Sequence, residues 1–248
     1  MLGYVYYIFH NSVNFILYYI NGCFCLQAKE DQVSFLQEEH EAEERNINPM
    51  ATRPHAKHIS VEEYFELERT HPDQCYEYID GQIYFMSGGS PAHALIIANL
   101  IGEIRAHLRG GPCKTFSSDA KVKVSETRYV CPDVTVSCVE QDRQARRKVL
   151  ESPRFVIEVL SPSTEALDRH TKSELYRAMP SIEEYALVES EIQAVEVYKR
   201  FQDGFWAFAH FGPGSQVEFS SLGVTLPIEV IYEDVIFPPE ESYDLAVY

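Results

Sequence analysis

From residue 60 onward the apolar and polar positions follow short, regular periods that change often along the chain. Ser60-Val61-Glu62-Glu63 has the form of a capping box, an N-cap serine with an acid three residues on. It opens a predicted helix over residues 61–69 with Tyr64, Phe65 and Leu67 on its inner side, stopped by His71-Pro72-Asp73. Residues 76–86 alternate about Asp80-Gly81, a hairpin turn signal, and Glu77 lies on the first strand. A Gly-rich loop leads to Pro91 and a helix over residues 92–109, where Leu95, Ile96, Asn99, Leu100, Ile104 and Leu108 make the stripe. Residues 114–124 and 129–139 are predicted as two strands joined by a Glu126-Thr127-Arg128 turn. Residues 155–160 are apolar apart from Glu158, as befits a strand covered on both faces. A helix over 164–179 follows, then strands over 185–189 and 194–199. Asp203-Gly204 turns the chain into a strand over 205–211, and short strands and turns occupy 217–235. These elements predict an α/β fold with a mixed central β-sheet flanked by α-helices.

Residues 1–49 break this pattern. Residues 2–26 contain no Asp, Glu, Lys or Arg and are rich in Tyr, Ile, Phe and Asn, while 29–48 are acidic with no apolar period. The first run has the length of a membrane span, but His10, Asn11, Ser12, Asn14 and Asn21 interrupt it, and polar groups are costly in hydrocarbon. A packed extra helix is a second reading. The favoured one is a true start at Met50, the earlier residues being translated A/T-rich upstream DNA. The expected organisation is an extension over 1–49 outside the core and one domain over 50–248.

Composition alters the picture in two ways. The formal charge of -17 argues against tight nonspecific binding of nucleic acid, which draws on Lys and Arg. Only a local basic rim (Arg143, Arg146, Arg147, Lys148, Arg154, Arg169) would offset it. None of the six cysteines forms a C-x-x-C pair and no Cys/His cluster suggests zinc, so reduced thiols in a cytoplasmic protein are expected.

Glu158 is the most informative single residue. A carboxylate inside an apolar strand costs several kcal/mol unless it is paired or bound to a metal. Alternation puts it on one face with Val156 and Leu160, while Asp133, after Pro132, shares a face with Thr135 and Ser137 on the preceding strand. Two carboxylates on neighbouring strands suit a magnesium or manganese ion, which takes one or two acids and keeps several waters. Lys172, on the next helix, is placed to stabilise charge developing on a phosphoryl group. The plain alternatives are an arginine partner for Glu158 and an ordinary surface ion pair between Asp168 and Lys172.

These residues carry a family likeness. Tyr76-Glu77-Tyr78-Ile79-Asp80-Gly81, His93, Ser118-Asp119-Ala120, Pro132-Asp133-Val134, the run from Ile157 to Thr164, then Asp168, Lys172, Tyr176 and Glu184-Tyr185 all belong to it. Over residues 58–233 the chain resembles the Uma-type restriction endonucleases of bacteria, a branch of the restriction-endonuclease-like PD-(D/E)xK nucleases. The resemblance implies that fold and a metal-dependent endonuclease acting on phosphodiesters in DNA, with magnesium (or manganese) on Asp133 and Glu158. It implies catalytic roles for Asp133, Glu158, Lys172, Glu77 and His93: Glu77 helps place the ion or its water, and His93 contacts phosphate or moves a proton. The superfamily's lysine, two residues after the second acid, falls here on Leu160. Lys172 is the expected substitute and Lys121 the weaker one. Homodimerisation is expected of an enzyme that cuts both strands. The alternative function is a catalytically inactive nuclease-fold module used for interaction or regulation, and a membrane partner is expected only if residues 2–26 are a genuine span.

Overall fold

The computed structural model describes residues 58–237 except 73, 87, 88 and 145–148, together with the backbone of three strands nearer the N-terminus. Expectations for the acidic run at 29–48 and for a start at Met50 lie outside the described residues. So do Arg146, Arg147 and Lys148 of the basic rim.

The three N-terminal strands, β1 (Val5–His10), β2 (Val13–Ile20) and β3 (Cys23–Ala28), are antiparallel neighbours. This backbone is extended and not helical, which sets aside the packed-helix reading. Among the described residues no helix is long and apolar enough to cross a membrane. Next come α1 (Val61–Thr70), the hairpin β4 (Tyr76–Ile79) and β5 (Gln82–Phe85), and α2 (Pro91–His107). The capping box forms as expected: Glu63 N–H donates to Ser60 Oγ at 3.2 Å, and Ser60 N–H donates to Glu63 Oε2 at 2.8 Å. Asp80 and Gly81 take φ of 47° and 90°, the mirror-type turn that suits a two-residue hairpin.

The two long strands expected at 114–124 and 129–139 are each broken in two. The pieces are β6 (Lys114–Ser117), β7 (Val122–Ser125), β8 (Arg128–Val130) and β9 (Val134–Ser137). Pro132 has no N–H to give a ladder and ends the pairing of β8. The chain then changes sheets, leaving Asp133 just ahead of β9. The remaining elements are β10 (Pro153–Val159), α3 (Ser173–Ala178) preceded by a π-helical segment (Leu167–Lys172), β11 (Glu184–Val188), β12 (Val195–Arg200), β13 (Trp206–Phe211), β14 (Gln216–Phe219), β15 (Val224–Pro227) and α4 (Ile228–Ile231).

The main sheet has nine strands among those described, in the order β3-β2-β1-β13-β12-β11-β10-β9-β6. β5-β4-β8-β7 form a second, smaller sheet beside the expected mixed central one. Within the main sheet β10 and β11 are parallel, with Glu158 opposite Leu187. A parallel pair needs a crossover. Here the crossover is the helical stretch ending in α3, and it is laid over one face of β10.

Strand alternation then decides what faces what. Phe155, Ile157 and Val159 join Ile96, Leu100 and Ile104 of α2 in one cluster. Each of these α2 side chains contributes about 1.5–3 kcal/mol relative to exposure. Val156 and Leu160 face the other way, with Leu175, Tyr176, Ile79 and Val130. Glu158 belongs by register to that second face, under the crossover helix and the small sheet.

One cysteine expectation is overturned. Cys113 and Cys138, one step beyond the Lys114↔Ser137 pair of β6 and β9, are joined as a disulfide. Cross-strand adjacency creates the pair, and a separation of 25 residues in sequence carries no sign of it. Cys75 and Cys131 are free thiols.

Candidate active site

Lys172 sits at the centre of a buried polar cluster. Its Nζ lies 2.9 Å from Glu77 Oε1, 2.9 Å from Asp168 Oδ1 and 3.3 Å from Glu158 Oε1. Each of these four residues is at most 2% exposed. Four segments supply the parts: β4 gives Glu77, β10 gives Glu158, the π segment gives Asp168 and Lys172, and α3 gives Tyr176. The Tyr176 hydroxyl donates to Glu158 Oε1, and Cys131 N–H donates to Glu77 Oε1 at 2.9 Å. Glu77 is therefore not the exposed strand residue that β4 alone would allow. The Asp168–Lys172 pair is likewise not on the surface.

The π segment shapes this arrangement. Ser173 N–H reaches back five residues to Asp168 O, and Ser173 Oγ donates to the same carbonyl at 3.0 Å. The wider turn keeps Asp168 and Lys172 on the buried side while Arg169 and His170 face outward. π turns inside helices recur at functional sites.

Asp133 completes the site from the neighbouring strand. Its Oδ2 accepts the Val159 N–H at 2.8 Å and lies 3.7 Å from His93 Nε2. His93 Nε2 is also 2.9 Å from Val159 O, so the ring nitrogen carries a proton and donates it there. Both peptide groups of Val159, the residue after Glu158, are thus held by expected site residues. His93 is brought into place by Ser90, whose Oγ accepts the His93 N–H at 3.2 Å. Gly89 closes against the ring: a Cβ at Gly89 would stand 2.4 Å from His93 Nδ1.

Four acids share one lysine, and the electrostatics follow from that. Burial pushes Glu158 well above the usual carboxylate range; Lys172 pulls it down, while Asp168, Asp133 and Glu77 push it further up. Burial raises Asp133 too, against the pull of His93 and the Val159 N–H. For Lys172 burial works to lower the pKa, but Glu158, Glu77 and Asp168 overcome it and hold the ammonium well above its ordinary value. Lys172 stays charged. The Tyr176 hydroxyl, buried beside Glu158, is raised well above its usual pKa and remains a donor.

Other candidates fall elsewhere. Lys121 pairs with Glu68 and Tyr64 and lies 4.6 Å from the centre of the Tyr64 ring, tying α1 to the small sheet. Burial pushes it down to about 8. It makes none of the contacts that define the acid cluster. Asp119 is exposed in a turn and accepts from Ser117 Oγ at 3.3 Å. Arg169 is taken up by Glu165, Glu189 and Glu196, and Arg154 by Glu183 at 2.9 Å. Those two arginines of the expected rim are already neutralised. Sequence reasoning missed Asp168 and Tyr176 as members of the cluster, although the four-residue steps 168, 172 and 176 place all three on one helical stripe.

A divalent ion fits these residues. Glu77 Oε2 is buried with no hydrogen-bond partner among the described residues. The cluster carries more acid than Lys172 can neutralise, and burial drives Glu158 and Asp133 toward protonation, which a bound cation reverses. Among the described residues no three His, Cys, Asp or Glu side chains converge as a complete metal cage. Magnesium does not need one, since two carboxylates and retained waters suffice. Asp133 and Glu158 are the pair that would hold it.

Comparison with known proteins bears on the family and the fold. The Uma2 family model, described as "Putative restriction endonuclease", matches residues 61–229. An uncharacterized Synechocystis protein, slr1290, is 38% identical over 180 residues, covering 72% of this chain and 94% of its own. A second, sll1609, is 27% identical over 171 residues, covering 68% and 96%. A solved structure from Anabaena variabilis, described as a "putative nuclease", superposes with a TM-score of 0.57 at 20% identity, covering 70% of this chain and 97% of that one. That likeness extends to the fold.

Proposed function

The chain belongs to the Uma2 family of restriction endonuclease-like proteins, and from that premise we propose that it is a metal-dependent endonuclease hydrolysing phosphodiester bonds in DNA. The observation that carries the proposal is the Lys172 ammonium held beside Glu158. Lys172 would take over the part of the superfamily's lysine, whose position in the sequence is filled here by Leu160, a residue given over to the apolar cluster.

Asp133 and Glu158 would hold magnesium or manganese. When bound, that ion polarises a phosphoryl oxygen and makes a water more acidic. The chain's own residues do the rest. Once the site opens to substrate, Lys172 would offer a permanent positive charge to the pentacoordinate phosphorus centre as negative charge builds there. Glu77 and Asp168 fix that ammonium from two sides. Tyr176 holds Glu158 Oε1, which leaves the carboxylate one defined orientation. His93 anchors the end of β10 through Val159 O and faces Asp133, so its role is to position the metal-holding strands.

The test is single-turnover cleavage of labelled supercoiled plasmid with magnesium or manganese, by wild type, Asp133→Asn, Lys172→Met and Lys121→Met. Asp133→Asn should abolish cleavage and Lys121→Met should leave most of it. Undiminished cleavage by purified Asp133→Asn would sink the assignment. Cutting both strands calls for two sites, so sedimentation with and without DNA belongs beside it. One observation favours the second reading, a catalytically inactive module: Lys172 and Glu77 are 1% and 0% exposed, so substrate reaches them only if the site opens. Magnesium binding by calorimetry with no cleavage of DNA or RNA would select that reading.

A further inference from the structure

A second reactive group lies beside the acid cluster. Cys75 Sγ and Cys131 Sγ stand 2.8 Å apart, closer than two thiols need to be for a hydrogen bond, and neither belongs to the Cys113–Cys138 disulfide. Extending the Tyr78↔Tyr129 register of β4 and β8 outward puts Cys131 opposite Tyr76, next to Cys75. The two are 56 residues apart in sequence, so only the fold brings them together. Each also sits at a lever of the site. Cys75 leads directly into β4, which carries Glu77. Cys131 donates its N–H to Glu77 Oε1 and precedes Pro132 and Asp133.

We propose that Cys75 and Cys131 form a redox-responsive pair, converted by a hydroperoxide into an intramolecular disulfide that locks the Glu77 strand to the segment leading to Asp133. Exposure assigns the order of events. Cys75 is half-buried and meets the oxidant, while Cys131 is 1% exposed and resolves. The Cys75 sulfur attacks the peroxide O–O bond, giving the sulfenic acid and releasing the alcohol, or water when the oxidant is hydrogen peroxide. The Cys131 sulfur then displaces the sulfenic hydroxyl, the S–S bond forms, and a second oxygen leaves as water. Two electrons pass from the thiols to the peroxide, and both thiol protons end on the departing oxygens. The sulfurs are already in contact, so the chain has little distance to travel. The bond closes a long loop and removes freedom from the opened state of both segments.

This inference does not depend on the nuclease reading, because it is read by mass and by heat and not by cleavage. The full-length protein is reduced, exposed to graded hydrogen peroxide, blocked with an alkylating reagent and mapped by non-reducing peptide mass spectrometry. Reformation of Cys113–Cys138 reports that the protein is folded and the oxidant active. The expected result is a Cys75–Cys131 linked peptide two hydrogens lighter than its thiols. In Cys131→Ser, dimedone should trap the sulfenic acid on Cys75. In Cys75→Ser, Cys131 should stay a thiol. The oxidised wild type should melt at a higher temperature than oxidised Cys75→Ser, by more than the two differ when reduced. Two results would overturn the proposal: Cys75 and Cys131 both alkylatable while Cys113–Cys138 has reformed, or Cys131 oxidised as readily in Cys75→Ser as in wild type.

Discussion

At the scale of single residues, the molecule turns on one ammonium among carboxylates. Removing Lys172 leaves Glu77, Glu158 and Asp168 buried without their cation, so Lys172→Met should do two things. It should cut the cleavage rate by at least about a hundredfold, the usual scale for losing one electrostatic stabiliser. It should also destabilise the fold by about 3–5 kcal/mol, the scale for stranding a buried charge. Chemical denaturation at neutral pH checks the second figure, and a stability equal to wild type would show that the acids are already protonated. Tyr176→Phe strips one hydrogen bond from a buried carboxylate and should cost about 1.5–3 kcal/mol, with magnesium-free stability as the readout. The raised values of Glu158 and Asp133 also set a pH dependence in chelator. Their folded pKa values exceed the unfolded ones, so the ion-free folded chain binds protons more tightly than the unfolded chain. Their contribution is therefore largest at acid pH and is lost as pH rises from the ordinary carboxylate range through the raised values. The thermal midpoint in chelator should fall over that window, and added magnesium should restore it most at the alkaline end; a midpoint that magnesium leaves unchanged at every pH would remove the ion from the site. Glu158 was legible in the sequence because an acid in an apolar strand needs a partner. Glu77 was marked only by the family resemblance, since nothing in its own alternating strand says that another sheet will cover it.

At the scale of elements, the crossover between β10 and β11 explains how a lysine can leave its strand and still serve the same point. The parallel pairing forces the chain back over the sheet, and the face it covers is the one bearing Val156, Glu158 and Leu160. That part was readable from the apolar strand, the Ser-Pro-Ser-Thr turn and the acid–base steps that follow. The π segment was not, because a one-residue widening leaves no periodic trace in so short a helix. It makes a sharp prediction. Deleting exposed His170 should remove the extra residue of the wide turn and leave an α-helix in which Asp168 stands three residues from Lys172 instead of four, so that their ion pair is redrawn. The shortened protein should keep its circular dichroism but lose cleavage. Full activity would mean that the wide turn is incidental. The broken strands carry a similar lesson: Pro132 was visible, but its effect, sending β8 and β9 to different sheets with Asp133 between them, depends on tertiary pairing.

At the scale of the whole molecule, the open question is what β1, β2 and β3 contribute. Their backbone extends the main sheet beyond β13, with Tyr7 opposite Phe208 and Phe9 opposite Trp206. Yet the acid cluster lies far along the strand order, at β10, and the family match begins at residue 61. Both α2 and the crossover helix pack on strands inside the sheet, and among the described residues every member of the two main clusters lies after residue 58. A chain beginning at Met50 should therefore unfold cooperatively at the same temperature as the full chain and keep its magnesium response. It should also differ in one respect. Without β1 the ladder of β13 is unpaired, and an exposed edge strand invites a second copy. The shortened protein should self-associate with concentration more strongly than the full chain, and His210→Pro, which removes an N–H that faces that edge, should abolish the difference. If the shortened chain melts earlier or loses cooperativity, the three strands are part of the core and the boundary near residue 50 is wrong. If it folds but associates no more than the full chain at any concentration, β13 is protected by something other than β1.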